Sequence, residues 1–139
     1  MKYWDPSAIV SLLGTEPDPE GRTVLLRQDG QAVTWWASKV ECSSALCRLR
    51  REQAIDERGL TQALRKLETF FEACLEVAPS EEVRKRAIRL LRIHPLRAGD
   101  ALQLAAALVA CREDPSSLPL ITNDEKLKEA AQREGFAVQ

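Results

Sequence analysis

Between Ala101 and Cys111 a single residue, Gln103, is polar. A helix that is apolar all round has no face to offer water, so it must be buried on most sides. The run falls well short of the roughly 20 apolar residues that cross a bilayer, so the rest of the chain has to bury it.

Around that helix, short apolar runs alternate with helical patterns. Tyr3-Trp4 is closed by Asp5-Pro6, and Pro at the first helical position opens a helix carrying Ala8, Ile9, Leu12 and Leu13. Gly14 stops it, and residues 15–21, with two prolines, a glycine and three acids, form a loop. A short helix covers 22–28, and Ala32-Val33-Thr34-Trp35 is a second strand. Helices then run from Ser38 to about Glu52 and from about Leu60 to Cys74, ahead of a third strand, Leu75-Glu76-Val77. Ser80 caps a helix from Glu81 to about Ile93, and Asp100 starts the buried helix. Leu118 to Ile121 is a fourth strand, Asp124 to Glu134 the last helix, and Phe136-Ala137-Val138 a final short strand. This alternation predicts one α/β domain over residues 1–139, a three-layer α/β/α arrangement around a short-stranded, mostly parallel sheet. In such open sheets the ligand site lies beyond the carboxyl ends of the strands.

Composition narrows the function classes. The 20 Lys and Arg nearly balance the 21 Asp and Glu, which argues against a polybasic nucleic-acid tail, an acidic disordered chain and a membrane-surface peptide. A lysine, an acid and a proline within the first six residues leave no apolar segment for a signal peptide. A cytoplasmic protein without a membrane partner is expected. Cys42, Cys47, Cys74 and Cys111 form no C-x-x-C pair, and His94 is the only histidine. A zinc site and a Ser-His-Asp hydrolase both lack their parts, and no glycine-rich phosphate loop is present.

The acids at the strand ends carry the chemistry. Asp5 follows the first strand, Asp124 follows the fourth, Glu41 lies one turn into the helix after the second, and Asp100 begins the buried helix. Singly, each has a plain reading. Asp5, Asp100 and Asp124 suit N-caps, and Ser38-Lys39-Val40-Glu41 fits a capping box. Together, a doubly wound fold brings all four to one edge, where they raise one another's pKa values unless a cation neutralises them. Hard oxygen donors select Mg²⁺ or Mn²⁺, and such a site suits metal-assisted attack of water on a phosphodiester.

The segments Tyr3-Trp4-Asp5-Pro6-Ser7-Ala8, Glu41, His94-Pro95-Leu96-Arg97-Ala98-Gly99-Asp100-Ala101-Leu102-Gln103-Leu104-Ala105 and Leu120-Ile121-Thr122-Asn123-Asp124-Glu125-Lys126-Leu127 resemble, in that order, the PIN-domain family. The match is closest to its VapC-type branch, the toxins of type II toxin–antitoxin modules, and it covers essentially the whole chain. The resemblance implies an endoribonuclease that needs Mg²⁺ or Mn²⁺, acts on RNA, is inhibited by a cognate protein antitoxin and forms a homodimer. It assigns Asp5, Glu41, Asp100 and Asp124 to the acidic quartet. Asp5 and Asp100 would be the firmest metal ligands, Asp124 would complete the shell, and Glu41 would hold a second metal or orient the attacking water. Ser7 and Thr122 match hydroxyl positions that hydrogen-bond within the acidic cluster. Asn123 and Gln103 depart from the common pattern, which has an aromatic or small residue and a histidine at these places.

Beyond the acids, Arg97 stands three residues before Asp100, where it can reach the scissile phosphate or brace the acids. Arg48, Arg50 and Arg51 and the arginines from Arg84 onward are either phosphate contacts or helix faces paired with Glu52, Glu81 and Glu82. The side chains of Trp35 and Trp36 should point to opposite faces, one of them in the core. Leu60, Leu64, Leu67, Phe70, Phe71 and Cys74 make a helix more apolar than one sheet contact requires, so with the helix before it they suit a groove for an antitoxin segment. Two rival functions remain: a PIN-like binding module without chemistry, and a stand-alone RNA-processing nuclease without an antitoxin. A receiver-type signalling domain lacks its acid pair after the first strand and its late lysine.

Overall fold

The computed structural model describes residues 1–15 and 21–139. Its elements are β1 (Lys2–Trp4), α1 (Pro6–Ser11), α2 (Arg22–Gln28), β2 (Ala32–Trp35), α3 (Ser38–Arg51), α4 (Glu57–Ala73), β3 (Leu75–Val77), α5 (Glu81–Leu91), α6 (Ala98–Ala110), a 3₁₀ turn (Pro115–Ser117), β4 (Leu120–Ile121) and α7 (Glu125–Arg133).

The strands pair in the order β3-β2-β1-β4, all parallel. The chain leaves the central β1 toward β2 and β3, then returns to add β4 on the other side of β1. That reversal makes a switch point between β1 and β4, with a crevice at their carboxyl ends. Asp5 and Asp124 follow those two strands directly.

Period-two alternation decides which face each strand residue serves. Tyr3, Val33, Trp35 and Leu120 join one core with Leu104 and Leu108 of α6 and Val83, Ala87 and Leu90 of α5. Trp4, Ala32 and Ile121 join the opposite core with Ile9 of α1, Leu46 of α3 and Leu67 and Phe71 of α4. The sheet is therefore the middle of three layers. The apolar helix α6 is buried as its composition requires, with Ala101 and residues 103 to 107 all at 0% exposure. No helix among the described residues is long and apolar enough to cross a membrane.

Several expected boundaries shift for physical reasons. α4 begins at Glu57, three residues early, because Asp56 accepts from the Gly59 N–H at 2.7 Å and caps it. α6 begins at Ala98 with Arg97 at the N-cap, so Asp100 lies inside the first turn and does not cap it. α3 is capped at Ala37, and Ser38 spends its hydroxyl in the core, so no capping box ties Glu41 to the backbone. Leu118-Pro119 leaves the fourth strand with two residues, since Pro119 has no N–H to donate. The final strand reduces to one parallel bridge, Leu120 to Val138. Trp35 is buried and Trp36 is 55% exposed, on opposite faces as expected.

Candidate active site

Asp5, Glu41, Asp100 and Asp124 line one cavity of about 820 Å³, with Ser7, Arg48, Arg97 and Asn123. Four elements deliver them. Asp5 caps α1, Asp124 caps α7, Glu41 sits in the first turn of α3 and Asp100 in the first turn of α6.

Asp5 is the most enclosed, at 5% exposure. Its Oδ2 accepts from the Ser7 N–H at 3.0 Å, the Ser7 hydroxyl at 2.5 Å and the Thr122 hydroxyl at 3.0 Å. Each hydroxyl is itself held from behind. Ser7 Oγ accepts from the Asn123 N–H at 2.9 Å, and Thr122 Oγ1 from the Asp124 N–H at 3.0 Å. Ser7 and Thr122 thus clamp the Asp5 carboxylate, just past β1, to the loop that carries Asp124.

One oxygen is tied and the other left over in three of the four acids. For Asp5 the tied oxygen is Oδ2. For Asp124, Oδ1 accepts from the Leu127 N–H at 2.8 Å. For Glu41, Oε1 accepts from Gln103 Nε2 at 3.0 Å. The capping and catalytic readings of these acids are therefore compatible, because a cap occupies one oxygen only. Asp100 takes the Arg97 backbone N–H, the N3-to-N-cap half of a capping box.

The electrostatics follow from the crowding. Burial pushes the Asp5 carboxyl up to about 6, against the pull of Ser7 and Thr122, and Asp100 adds repulsion. Burial also raises Glu41, opposed by Gln103, with Asp5 and Asp100 raising it further. Asp100 rises through burial and the charge of Asp124, with Arg97 pulling the other way. A divalent cation would relieve that mutual repulsion, and the donors suit a hard one in kind, being all oxygen. Among the described residues, no three Asp, Glu, His or Cys side chains are arranged to hold one metal ion as they stand.

Two supports escaped the sequence. Gln103, fully buried, accepts from the Tyr3 hydroxyl at 2.7 Å and donates to Ser38 Oγ at 2.9 Å as well as to Glu41. A buried tyrosine O–H needs an acceptor, so the amide oxygen faces Tyr3 and the NH₂ faces Glu41. A lone polar residue in an otherwise apolar helix was the available signal. Arg22, 3% exposed, donates to the Thr122 carbonyl at 3.1 Å and to Asn123 Oδ1 at 2.7 Å. Its signal was a cation at the first position of a helix, where the dipole disfavours one. Asn123 also donates from Nδ2 to the Ser7 carbonyl at 3.3 Å, so its departure from the common pattern has a structural use.

The arginine clusters divide. Arg50 pairs with Glu57, Arg84 with Glu81, and Arg86 with Glu82 and Glu113, whereas Arg48 and Arg97 line the acidic cavity. Of the apolar residues of α4, Leu67 and Phe71 are core. Phe70 and Cys74 line a second cavity of about 560 Å³ with Leu12, Leu13 and Leu26. That apolar hollow lies between α4 and the chain's first two helices, not between α3 and α4.

A family model described as the PIN domain matches residues 2–133. The chain belongs to the PIN-domain family. Within it, this PIN domain is 32% identical over 138 residues to Ribonuclease VapC45 of Mycobacterium tuberculosis (strain CDC 1551 / Oshkosh) and, to the same degree, to Ribonuclease VapC49 of Mycobacterium tuberculosis (strain ATCC 25618 / H37Rv). Each alignment covers 99% of this chain and 94% of the relative, and the VapC-type resemblance of the motifs stands. The fold is similar to a chain of FitAcB from Neisseria gonorrhoeae, with a TM-score of 0.64, covering 99% of this chain and 96% of that one. At 18% identity that likeness concerns the fold alone.

Proposed function

We propose that this PIN domain, acting as one domain over 1–139, is a Mg²⁺- or Mn²⁺-dependent endoribonuclease and the toxin of a type II toxin–antitoxin module. The observation that carries the reading is the shared cavity of Asp5, Glu41, Asp100 and Asp124, in which three acids keep one oxygen unclaimed. The names of the two ribonuclease relatives support the substrate class.

Asp5, Asp100 and Asp124 would hold the cation, and Asp5 Oδ2 already accepts from Ser7 and Thr122. When bound, the cation supplies charge neutralisation and Lewis acidity toward a phosphoryl oxygen. Glu41, oriented by Gln103, directs the attacking water with the oxygen Gln103 leaves over. Arg97 sets a cation beside Asp100, within reach of the substrate phosphate. Ser7 and Thr122 keep the two aspartates at fixed separation, which preorganises the charge. A protein antitoxin holds the activity in check, and the chain works as a homodimer in the cytoplasm.

The test is cleavage of a mixed RNA pool by purified protein with Mg²⁺ or Mn²⁺. Cleavage should vanish with EDTA and with Asp100→Asn. Folded protein that neither cuts RNA nor binds Mn²⁺ would instead be a binding module. Growth arrest on expression, relieved by the neighbouring gene, distinguishes a toxin from a stand-alone processing nuclease.

A further inference from the structure

α3 presents one face to the acidic cavity over two turns: Val40, Glu41, Ser44, Ala45, Arg48 and Leu49. These positions recur at the three- and four-residue spacing that aligns side chains along a helix. The stripe carries a carboxylate, Glu41, near one end and a cation, Arg48, near the other. Glu41 and Arg48 are seven residues apart, which is about 10 Å along the axis. Arg48 stands two turns beyond Glu41 and opens onto the same cavity.

Of the four cations of α3, Arg48 and Arg51 have no ion pair among the described residues, and of these two only Arg48 lines the cavity. Lys39 of the same helix is bound to Glu68 at 2.6 Å and Arg50 to Glu57 at 3.1 Å. Arg48 is exposed and has no carboxylate within ion-pair distance among the described residues. Arg97, the other cavity arginine, already sits in the field of Asp100. An exposed guanidinium facing a cavity with four carboxylates gains nothing from folding there beyond attraction. It is placed to bind an anion that enters the cavity.

We propose that Arg48 is a phosphate-binding subsite for the RNA strand, engaging a phosphate next to the one being cut and laying the strand along α3. The planar fork of arginine suits a phosphate bidentately. Val40, Ala45 and Leu49 along the same face offer apolar surface for a base or sugar. This subsite rests on the nuclease reading of the cavity.

The test measures binding instead of turnover, so it does not depend on cleavage. A fluorescein-labelled single-stranded RNA 12-mer is titrated by anisotropy across a KCl series, in an Asp100→Asn background that cannot cut. Arg48→Ala should weaken binding about tenfold at low salt and reduce the slope of log K against log salt by about 0.7, the release of one phosphate contact. Arg48→Lys should keep the slope and recover only part of the affinity, because the charge remains and the fork does not. Arg65→Ala, on the exposed side of α4 away from the cavity, should change neither. An unchanged slope in Arg48→Ala, with binding by the parent intact, would overturn the subsite and leave the nuclease reading standing. No salt-dependent RNA binding by the parent would overturn both. Loss of binding to an antitoxin, with RNA binding unaltered, would assign Arg48 to that partner and overturn its role toward RNA.

Discussion

The two large cavities of this PIN domain sit on different parts of the fold and obey opposite rules. The larger lies at the carboxyl ends of β1 and β4 and is lined by Asp5, Glu41, Asp100 and Asp124. The smaller touches Ala32, where β2 begins, and is lined by Leu12, Leu13, Leu26 and Phe70. Around the apolar hollow, burial of each side chain adds stability. Around the acidic one, burial raises the carboxyl groups and subtracts stability at neutral pH. The fold tolerates a destabilised edge because two apolar cores flank the sheet.

Substitution at Asp5 should break the comparison most sharply. Asp5→Asn should reduce RNA cleavage by about a thousandfold, in keeping with removal of a charge that acts on the reacting centre. Its amide oxygen can still accept from Ser7 and Thr122, so the clamp survives while the charge goes. The folded-state pKa of Asp5 lies above the ordinary value of 3.8, at about 6. The unfolded chain therefore releases this proton first. The Asp5 contribution to stability is undiminished below about pH 4, falls as pH rises to about 6, and is then reduced by about 3 kcal/mol. Denaturation of parent and Asp5→Asn proteins from pH 4 to 8, without metal, should show the gap opening in favour of the variant.

On the other side, Leu13→Ala removes a side chain that is 4% exposed beside the apolar hollow. It should cost about 2–4 kcal/mol by urea denaturation, with kcat of the surviving folded protein within about twofold of the parent. A large loss of kcat in stable protein would mean that the two regions are coupled. Gln103→Leu tests the connection between core and site. It leaves the Tyr3 hydroxyl without its acceptor, while Ser38 keeps Thr34, and should cost about 1–3 kcal/mol. It should lower kcat by about tenfold with KM little changed, because Glu41 loses its orienting contact and substrate binding does not. A proportional fall in kcat and rise in KM would make Gln103 a purely structural residue.

Much of this was legible in the residues themselves. Pro6 after Asp5 and Ser80 before Glu81 mark helix starts by local chemistry, so those elements appear where expected. The apolar character of 101–111 placed α6 in the core. Strand ends were less legible, because two- and three-residue strands owe their limits to pairing: Val138 makes one bridge and Pro119 withholds an N–H. The positions of the acids along the chain were readable, and their division into one tied and one available oxygen was not. That division depends on Gln103, Ser7 and Thr122, whose partners lie 62, 2 and 117 residues away. Arg22 was least legible, since its partners come from a loop 100 residues on.

The most direct measurement is the melting temperature with and without Mn²⁺ at pH 7.5, for the parent protein and for Asp5→Asn. If the carboxylates form a cation site that costs stability when empty, Mn²⁺ should raise the melting temperature of the parent by several degrees. Asp5→Asn should start higher and respond little. A parent protein indifferent to Mn²⁺, or an equal shift in both proteins, would contradict the assignment of this cavity as a metal-dependent active site.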